Sequence, residues 1–144
     1  MEKSKILVKL KLVASSDCRF LYGLLKERNS ITDLYRTKPA SYKEHVKYVM
    51  SKPYTVWYII EYNGYKAGSI NLKDGNKIGI YIKKEMHHKG IGTIALKLLM
   101  KKHPHKNYIA HINQKNIKSI QFFKKNGFKY VNKNSVDYKK ELKN

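Results

Sequence analysis

The chain has 144 residues and carries 31 Lys and Arg against 10 Asp and Glu, a formal net charge of +21 at pH 7. That length suits a single domain, which we expect over residues 1–144. The sequence contains no run of about 18 apolar residues, so it predicts no transmembrane helix. The N-terminal segment also lacks the continuous apolar stretch of a signal peptide. The single cysteine, Cys18, excludes an internal disulfide and a multi-cysteine metal site. We therefore expect a cytoplasmic protein without a metal.

The positive charge suggests a polyanionic partner, and nucleic acid is the first candidate. Only Arg19, Arg28 and Arg36 among the basic residues are arginine, whereas nucleic-acid-binding proteins favour arginine for bidentate contacts with bases and phosphates. Lys, Asn, Ile and Tyr are abundant, a bias typical of an AT-rich genome. We expect part of the charge to be solvated surface and part to serve a polyanionic ligand, and nucleic acid is disfavoured.

The N-terminal part of the chain predicts a strand followed by two helices. Residues 5–12 alternate apolar side chains with lysine, as a half-exposed strand does. The Ser-Ser-Asp sequence at 15–17 consists of N-cap residue types and precedes apolar residues at helical spacing. Ser41, with Glu44 three residues later, forms a capping-box pattern that opens the second helix, and Pro53 ends it.

The middle of the chain predicts three antiparallel strands. Residues 54–62 and 65–73 are rich in aromatic and β-branched side chains and are joined by Asn63-Gly64, a hairpin turn signal. Asp74-Gly75 marks a second tight turn before a strand at 77–83.

The C-terminal part changes to helical spacing and then returns to strands. Apolar side chains recur one helical turn apart from residue 91 until Pro104 ends the helix. A strand at 108–112 precedes a second helix, which Asn116 caps and Asn126-Gly127 ends. Strands at 128–131 and 136–142 close the chain. The predicted order is β-α-α-β-β-β-α-β-α-β-β, an α/β fold with a mixed sheet and helices on both faces.

A glycine-containing loop connects the strand at 77–83 with the following helix. It reads His87-His88-Lys89-Gly90-Ile91-Gly92, and its glycines allow the backbone to approach a ligand closely. Free N–H groups at the start of a helix bind anions, and the helix dipole favours such binding. The loop has neither the Gly-Lys-Ser/Thr ending of a Walker loop nor the length of the dinucleotide fingerprint. It predicts a cradle for a pyrophosphate, with a plain tight turn as the alternative.

These residues resemble those of a known family. The loop is similar to the acetyl-CoA loop of the GNAT N-acetyltransferases, Arg/Gln-x-x-Gly-x-Gly/Ala, with His87, Gly90 and Gly92 at its positions. The stretch from Asn116 to Phe128 resembles the family's Asn-x-x-Ser…Tyr-x-x-x-Gly-Phe helix, and the predicted order of elements is the family's order. The resemblance implies a GNAT-like fold and an N-acetyltransferase that uses acetyl-CoA or a similar acyl-CoA.

The resemblance also implies a set of coenzyme-binding residues. The backbone of Ile80, Tyr81 and Ile82 would pair with the pantetheine arm as an added strand does. Asn116 would lie near the pantetheine, with a helix cap as the alternative role, and Phe122 and Phe123 would lie near the thioester. The loop residues that would hold the pyrophosphate are His87, His88, Lys89, Gly90, Ile91, Gly92 and Thr93.

Three positions depart from the family pattern. The loop begins with His87 in place of Arg or Gln, which we expect to alter the affinity or its pH dependence. Lys77 stands where many members carry a carboxylate, so we do not assign it as a base. Phe123 occupies the place of the tyrosine that protonates the departing thiolate. Tyr130 and Ser119 are candidate substitutes, and unassisted departure of the thiolate is the alternative.

His111 is the candidate general base. In ribosomal-protein alanine acetyltransferases of the family a glutamate holds this place, and a histidine accepts a proton near neutral pH and can relieve an incoming ammonium of it. A sheet histidine without a catalytic role is the alternative. His103 and His105 flank Pro104 in a polar turn, and we expect both to be solvated.

The acceptor is expected to be selected by the first two helices and nearby loops. Fragments at 28–29, 41–48 and 57–64 are similar to the branch that acetylates amino sugars, including nucleotide-linked 4-amino sugars. The resemblance implies direct transfer in a ternary complex by a monomer or homodimer. Another amine (a protein N-terminus, a polyamine or an antibiotic) and a non-catalytic module that binds CoA or nucleic acid are the alternatives. The candidate acceptor contacts are Arg28, His45 and Trp57. The alternatives are that Arg28 is an exposed residue at a helix end, that His45 belongs to the capped helix and that Trp57 is a core residue.

Overall fold

The computed structural model describes residues 7–28, 41–112, 114–130 and 137–141. The strands are β1 (Val8–Leu12), β2 (Val56–Tyr62), β3 (Tyr65–Lys73), β4 (Lys77–Ile82), β5 (Asn107–His111), β6 (Lys129–Tyr130) and β7 (Asp137–Glu141). The helices are α1 (Cys18–Glu27), α2 (Tyr42–Met50), α3 (Ile91–Lys102) and α4 (Ile117–Lys125). This order confirms the predicted one. The strand residues predicted at 5, 6, 131, 136 and 142 lie outside the described residues.

All seven strands belong to one mixed sheet in the order β1-β2-β3-β4-β5-β7-β6. The β4–β5 pair is parallel and the other neighbours are antiparallel. The Asn63-Gly64 turn has φ values of 48° and 87°, the left-handed pair that suits a two-residue hairpin. The prediction of a mixed sheet is confirmed.

The two faces of the sheet are covered by different helices. One face, called here the α3 face, packs Ile70 and Tyr108 against Leu96 and Leu99 of α3. The other, called here the α1 face, packs Ile59 against side chains of α1 and α2. Because side chains alternate along a strand, each strand residue belongs to one face or the other.

Two of the predicted helix caps are confirmed. The Ser41 hydroxyl accepts from the Glu44 N–H at 3.1 Å, and the Glu44 carboxylate accepts from the Ser41 N–H at 2.9 Å. The Asn116 side chain accepts from the Ser119 N–H at 3.2 Å. Both caps satisfy N–H groups that the first helical turn leaves unpaired.

Asp17 has a different role from the predicted cap of α1. Its buried carboxylate accepts from the Ala14 N–H at 2.8 Å and pairs with Lys66 of β3 at 2.7 Å. Burial raises the pKa of Asp17, but the hydrogen bonds and charge of Lys66 and the Ala14 N–H outweigh it and hold this pKa below its usual value. The pair joins the start of α1 to the sheet.

Among the described helices, none has both the length and the apolar character needed to cross a membrane.

Candidate active site

A gap opens between β4 and β5 because the two parallel strands pair only where they begin. The register pairs Lys77 with Ile109, and the Ile109 N–H donates to the Asn76 carbonyl at 2.9 Å. Past this point β5 continues along β7 and β4 continues along β3. The Lys83 N–H donates to Ala67 of β3, so the odd-numbered residues of β4 direct their backbone groups toward β3. Those of Ile80 and Ile82 therefore face the gap.

The loop after β4 forms an anion cradle at the start of α3. His88 and Gly90 are left-handed, with φ of 64° and 76°, and the first helical bond runs from the Ile94 N–H to the Gly90 carbonyl at 3.3 Å. The N–H groups of residues 91–93 precede that bond and have no acceptor within the helix. A Cβ built at Gly90 meets nothing within 4 Å. The outer surface of the loop is therefore open, and the cradle suits a pyrophosphate.

Gly92 has a packing role in addition to any contact with a ligand. A Cβ built at this position would lie 3.0 Å from Cε1 and 3.2 Å from Cζ of the Phe122 ring. Thr93, the next residue, has its hydroxyl 3.4 Å from the Asn126 side-chain nitrogen. The start of α3 and the far end of α4 are therefore in close contact.

The three remaining loop residues differ in their surroundings. His87 donates from Nε2 to the Ile82 carbonyl at 2.7 Å, so its ring bridges the start of the loop and the end of β4. His88 and Lys89 are exposed, where their charges are available to an anion.

The two phenylalanines of α4 lie at different depths. Phe123 is 4% exposed, and its ring centroid lies 5.1 Å from Phe122 and 4.9 Å from Phe128. Phe123 is thus a core side chain rather than one that faces a ligand, whereas Phe122 is half-buried against Gly92. Asn116, at the other end of α4, is half-buried as its cap.

His111 forms a dyad with a residue that sequence reasoning missed. Its Nδ1 donates to Asp137 Oδ1 at 2.5 Å, since β5 and β7 place the two residues opposite each other. Tyr108 and Ala110 of β5 are buried on the α3 face, so by alternation His111 lies on the α1 face. An ionised carboxylate at Nδ1 selects the tautomer with its lone pair on Nε2, which is the form of a general base.

Polar side chains lie on the α1 face of β3, which β4 separates from the gap. The register places Asn71 of β3 between Trp57 and Gly79, and Ser69 between Ile59 and Tyr81. The Asn71 side chain covers Gly79, where an added Cβ would lie 2.9 Å from its amide oxygen. Ser69 is 9% exposed. We call Ser69 and Asn71 the polar floor; sequence analysis missed it because isolated polar residues in a strand form no motif.

An aromatic cluster from α1, α2 and β2 borders this floor. His45 is 5% exposed and packs against Tyr22 and Tyr48, with ring centroids 5.5 and 6.5 Å away. Trp57 lies 4.8 Å from Tyr54 and 6.2 Å from Tyr48. Its buried indole N–H has no hydrogen-bond partner among the described residues. His45 is therefore part of the packed wall, and Trp57, which lies opposite Asn71 in the register, contributes a buried indole N–H.

Arg28 lies at the end of α1, next to β4. Its guanidinium carbon is 5.8 Å from the centroid of the Tyr81 ring, and the Tyr81 hydroxyl donates to Glu27 Oε2 at 3.3 Å. Burial and the Glu27 carboxylate raise the pKa of Tyr81 to about 12, although Arg28 opposes this shift. Arg28 and the side chain of Tyr81 are thus on the α1 face of β4, whereas His45 and Trp57 lie farther along this face.

A loop that presents helix N–H groups to an anion, next to two parallel strands that separate, is the arrangement that the resemblance to the GNAT acetyltransferases implies for a protein that binds acyl-coenzyme A. The model of the acetyltransferase (GNAT) family matches residues 20–128. The chain therefore belongs to the GNAT acetyltransferase family. It is an acetyl-CoA-dependent N-acetyltransferase, and acetyl-CoA is its co-substrate.

Solved structures share the fold over nearly the whole chain. A domain from Methanocaldococcus jannaschii is 26% identical with a TM-score of 0.81, over 96% of this chain and 100% of that one. An acetyltransferase from Thermus thermophilus is 17% identical with a TM-score of 0.75, over 94% and 97%. The microcin self-immunity acetyltransferase MccE, solved with acetyl-CoA and AMP, is 18% identical with a TM-score of 0.72, over 94% and 92%. No curated protein sequence matches the chain.

Proposed function

We propose that the protein transfers an acetyl group to the amine of a nucleotide-linked amino sugar, with both substrates bound at once. The observation that carries this proposal is the polar floor, because Ser69 and Asn71 lie on the α1 face of β3, one strand away from the gap. Sugar hydroxyls need hydrogen-bonding partners when they leave water. A hydroxyl and an amide among buried apolar strands are suited to supply them.

The donor occupies the gap and the loop in this proposal. The Ile80 carbonyl and the Ile82 N–H pair with the pantetheine, and the N–H groups of residues 91–93 bind the pyrophosphate. His88 and Lys89 add positive charge at the surface. Acetyl-CoA supplies a thioester carbonyl there, and the Ile80 N–H is positioned to stabilise negative charge that develops on its oxygen.

The acceptor occupies the α1 face in this proposal. Arg28 is suited to bind a phosphate of the nucleotide, because a guanidinium binds phosphate oxygens bidentately. Trp57 and the exposed Tyr48 offer aromatic surface for the base. The structure of MccE in complex with acetyl-CoA and AMP gives an example, in another protein of this fold, of a nucleotide bound together with the coenzyme.

His111 is the proposed general base and Asp137 its positioning residue. Asp137 holds Nδ1–H, and Nε2 receives a proton from the incoming ammonium, so that the free amine attacks the thioester carbonyl. The second proton leaves the nitrogen as its bond to carbon forms, and it passes to the departing thiolate. The thiolate leaves without a phenol from α4, since Phe123 is a buried hydrocarbon. Because the Asp137 carboxylate fixes the tautomer of His111, the structure favours a catalytic role for His111 over that of a sheet histidine without one.

A thiol-release screen tests the acceptor class. The enzyme is incubated with acetyl-CoA and UDP- or dTDP-linked 4-amino sugars, and free CoA thiol is measured against the matching 4-hydroxy sugars. Polyamines and peptides with free N-termini form the comparison set. We expect release with the amino sugars and none with the hydroxy sugars.

Two results would contradict the proposal at different levels. Release with peptides or polyamines alone would reject the sugar and keep the acetyltransferase. Acetyl-CoA should also raise the melting temperature by mass action on the native state. The absence of a shift at millimolar acetyl-CoA would reject the proposed donor site.

A further inference from the structure

Glu27 places a carboxylate on the acceptor side of β4. It ends α1 and is half-buried. Its Oε2 accepts from the Tyr81 hydroxyl and from the Lys84 N–H, each at 3.3 Å. A carboxylate accepts hydrogen bonds at both of its oxygens. Two neutral donors therefore fix the group, and the nearby cation Lys83, which pairs with Glu85, also interacts with its charge.

This carboxylate is held beside the strand that faces the gap. Tyr81 stands between Ile80 and Ile82, whose backbone groups face the gap, while its own side chain packs on the α1 face. Lys84 lies in the connection from β4 to the loop. Two hydrogen bonds thus hold Glu27 against β4 and the connection that follows it, the segment next to the proposed acetyl-CoA site.

The charges around Tyr81 suit an acceptor with two opposite charges. Arg28 and Glu27 follow each other in the chain and both contact Tyr81, one over the ring and one at the hydroxyl. The raised pKa of Tyr81 keeps its hydroxyl protonated at neutral pH, so Tyr81 donates to Glu27 and adds no charge. An amino sugar linked to a nucleotide carries an ammonium and a diphosphate and matches this pair.

We propose that Glu27 binds the ammonium group of the acceptor and thereby selects amines at this site, while Arg28 binds an anionic group of the same molecule. This inference rests on the proposed function and assigns a residue that sequence analysis did not single out. Glu27 orients the amine before its proton passes to His111. Glu27 is therefore a specificity-determining residue rather than the base.

Glu27→Gln tests the charge without removing the tie to β4. The glutamine carbonyl still accepts from Tyr81 and Lys84, but it no longer attracts a cation. With a UDP-linked 4-amino sugar as the probe, or the amine that gives most thiol release in the screen, we expect the acceptor KM to rise about 10- to 100-fold, as expected for one hydrogen bond to a charged group. The KM for acetyl-CoA and the melting temperature should stay unchanged, and kcat should change by less than about threefold.

Glu141→Gln is the matched control. It removes the same charge from an exposed position on β7, where Glu141 pairs with Lys139, and it should leave both KM values unchanged. Tyr81→Phe is a second variant, which keeps the ring and loses the donor that orients Glu27. It should raise the acceptor KM less than Glu27→Gln does.

The matching 4-hydroxy sugar separates recognition of the ammonium from a structural role. As an inhibitor it should bind wild-type and Glu27→Gln protein equally, because it carries no cation. A Glu27→Gln protein that loses melting temperature and weakens both substrates and the hydroxy inhibitor alike would show a purely structural role and overturn the inference. Thiol release with an unchanged acceptor KM in Glu27→Gln would overturn the inference alone. No release with any amine would overturn the proposed function and the inference with it.

Discussion

Gly92→Ala is predicted to destabilise the protein through a single contact between α3 and α4. The added methyl would lie 3.0 Å from Cε1 and 3.2 Å from Cζ of Phe122, and 3.7 Å from Ile82 Cγ1. Carbon atoms pack best at about 3.5–4.0 Å. The ring of Phe122, or the helix that carries it, must therefore move by several tenths of an ångström.

Two opposing effects set the magnitude. Extra methyl groups in a packed interior cost about 1–3 kcal/mol. Alanine in place of glycine stabilises a helix interior by about 0.5–1 kcal/mol, and by less in the first turn, where Gly92 lies. We expect a net loss of about 1 kcal/mol in the free energy of unfolding, within a range of roughly 0–2.5 kcal/mol. For a chain of this size 1 kcal/mol corresponds to a fall of about 3 °C in melting temperature.

A double-mutant cycle with Phe122→Leu isolates the contact. Melting temperatures and urea unfolding are measured for wild type, both single variants and the double variant. Because leucine is smaller than phenylalanine, Gly92→Ala should cost little, or stabilise, in the Phe122→Leu background.

Gly90→Ala provides the comparison. Its methyl meets nothing within 4 Å, but φ is +76°, so alanine there costs about 1–2 kcal/mol through backbone strain. Phe122→Leu should not rescue this loss. Equal effects of Gly92→Ala in the two backgrounds, or a higher melting temperature of Gly92→Ala in the wild-type background, would refute the packing role of this glycine.

Three further outcomes are expected. His111→Ala should lower kcat about 10²–10⁴-fold, and Asp137→Asn should lower it at least about tenfold. Neither variant should change the rise in melting temperature that acetyl-CoA causes. An unchanged pH–rate profile in His111→Ala would remove His111 as the base. The native pKa of Asp17 is lowered, so its stabilisation is present above the unfolded pKa of about 3.9 and is lost as pH falls through the native pKa. Asp17→Asn should therefore unfold at lower urea than wild type at pH 7, and the difference should shrink in acid; a difference that grows in acid would contradict the Lys66 pair. The stabilisation by acetyl-CoA should fall as NaCl rises, because salt screens the attraction between a polyanion and a basic loop, and a salt-independent shift would argue against that attraction.

The elements were predictable where a few neighbouring residues decide the conformation. The Asn63-Gly64 turn and the Ser41–Glu44 box act within three or four residues and hold in the structure. Asp17 shows the limit, since a good N-cap residue instead pairs with Lys66 on a distant strand. Tertiary contacts thus override a local preference when they offer a buried carboxylate a charged partner.

His103 shows the same limit in a turn. The polar sequence around Pro104 predicts a solvated histidine, yet Nε2 of His103 lies 2.7 Å from the Tyr58 hydroxyl and the side chain is half-buried. Tyr58 belongs to β2, forty-five residues earlier. Strand pairing within the sheet and the packing of α3 on it bring His103 and Tyr58 together. The sequence around Pro104 predicts neither of these contacts.

The candidate site contains both residues that a local motif predicts and residues that only tertiary packing brings together. The donor loop forms a continuous motif, so its residues were predicted by position. Asp137 becomes the partner of His111 only because β7 lies beside β5, and Glu27 reaches Tyr81 only through the packing of α1 on the sheet. Groups that meet across the sheet are invisible to motif reasoning.

The positive net charge of the chain is reflected in the loop proposed to bind the coenzyme more than in the face proposed to bind the amine. The donor loop carries Lys89 and two histidines without a carboxylate in the sequence from 86 to 92, as a coenzyme with three phosphates requires. On the α1 face, Glu27 and Asp137 are each held by a hydrogen bond to a side chain that borders the gap. An amine approaches this enzyme as a cation and must lose a proton, so negative groups on the acceptor side assist first its binding and then its deprotonation. In the proposed function β4 separates the two requirements. The basic loop binds the coenzyme, and Glu27 and Asp137, two of the ten acidic residues in a chain with a charge of +21, lie on the side where the amine enters.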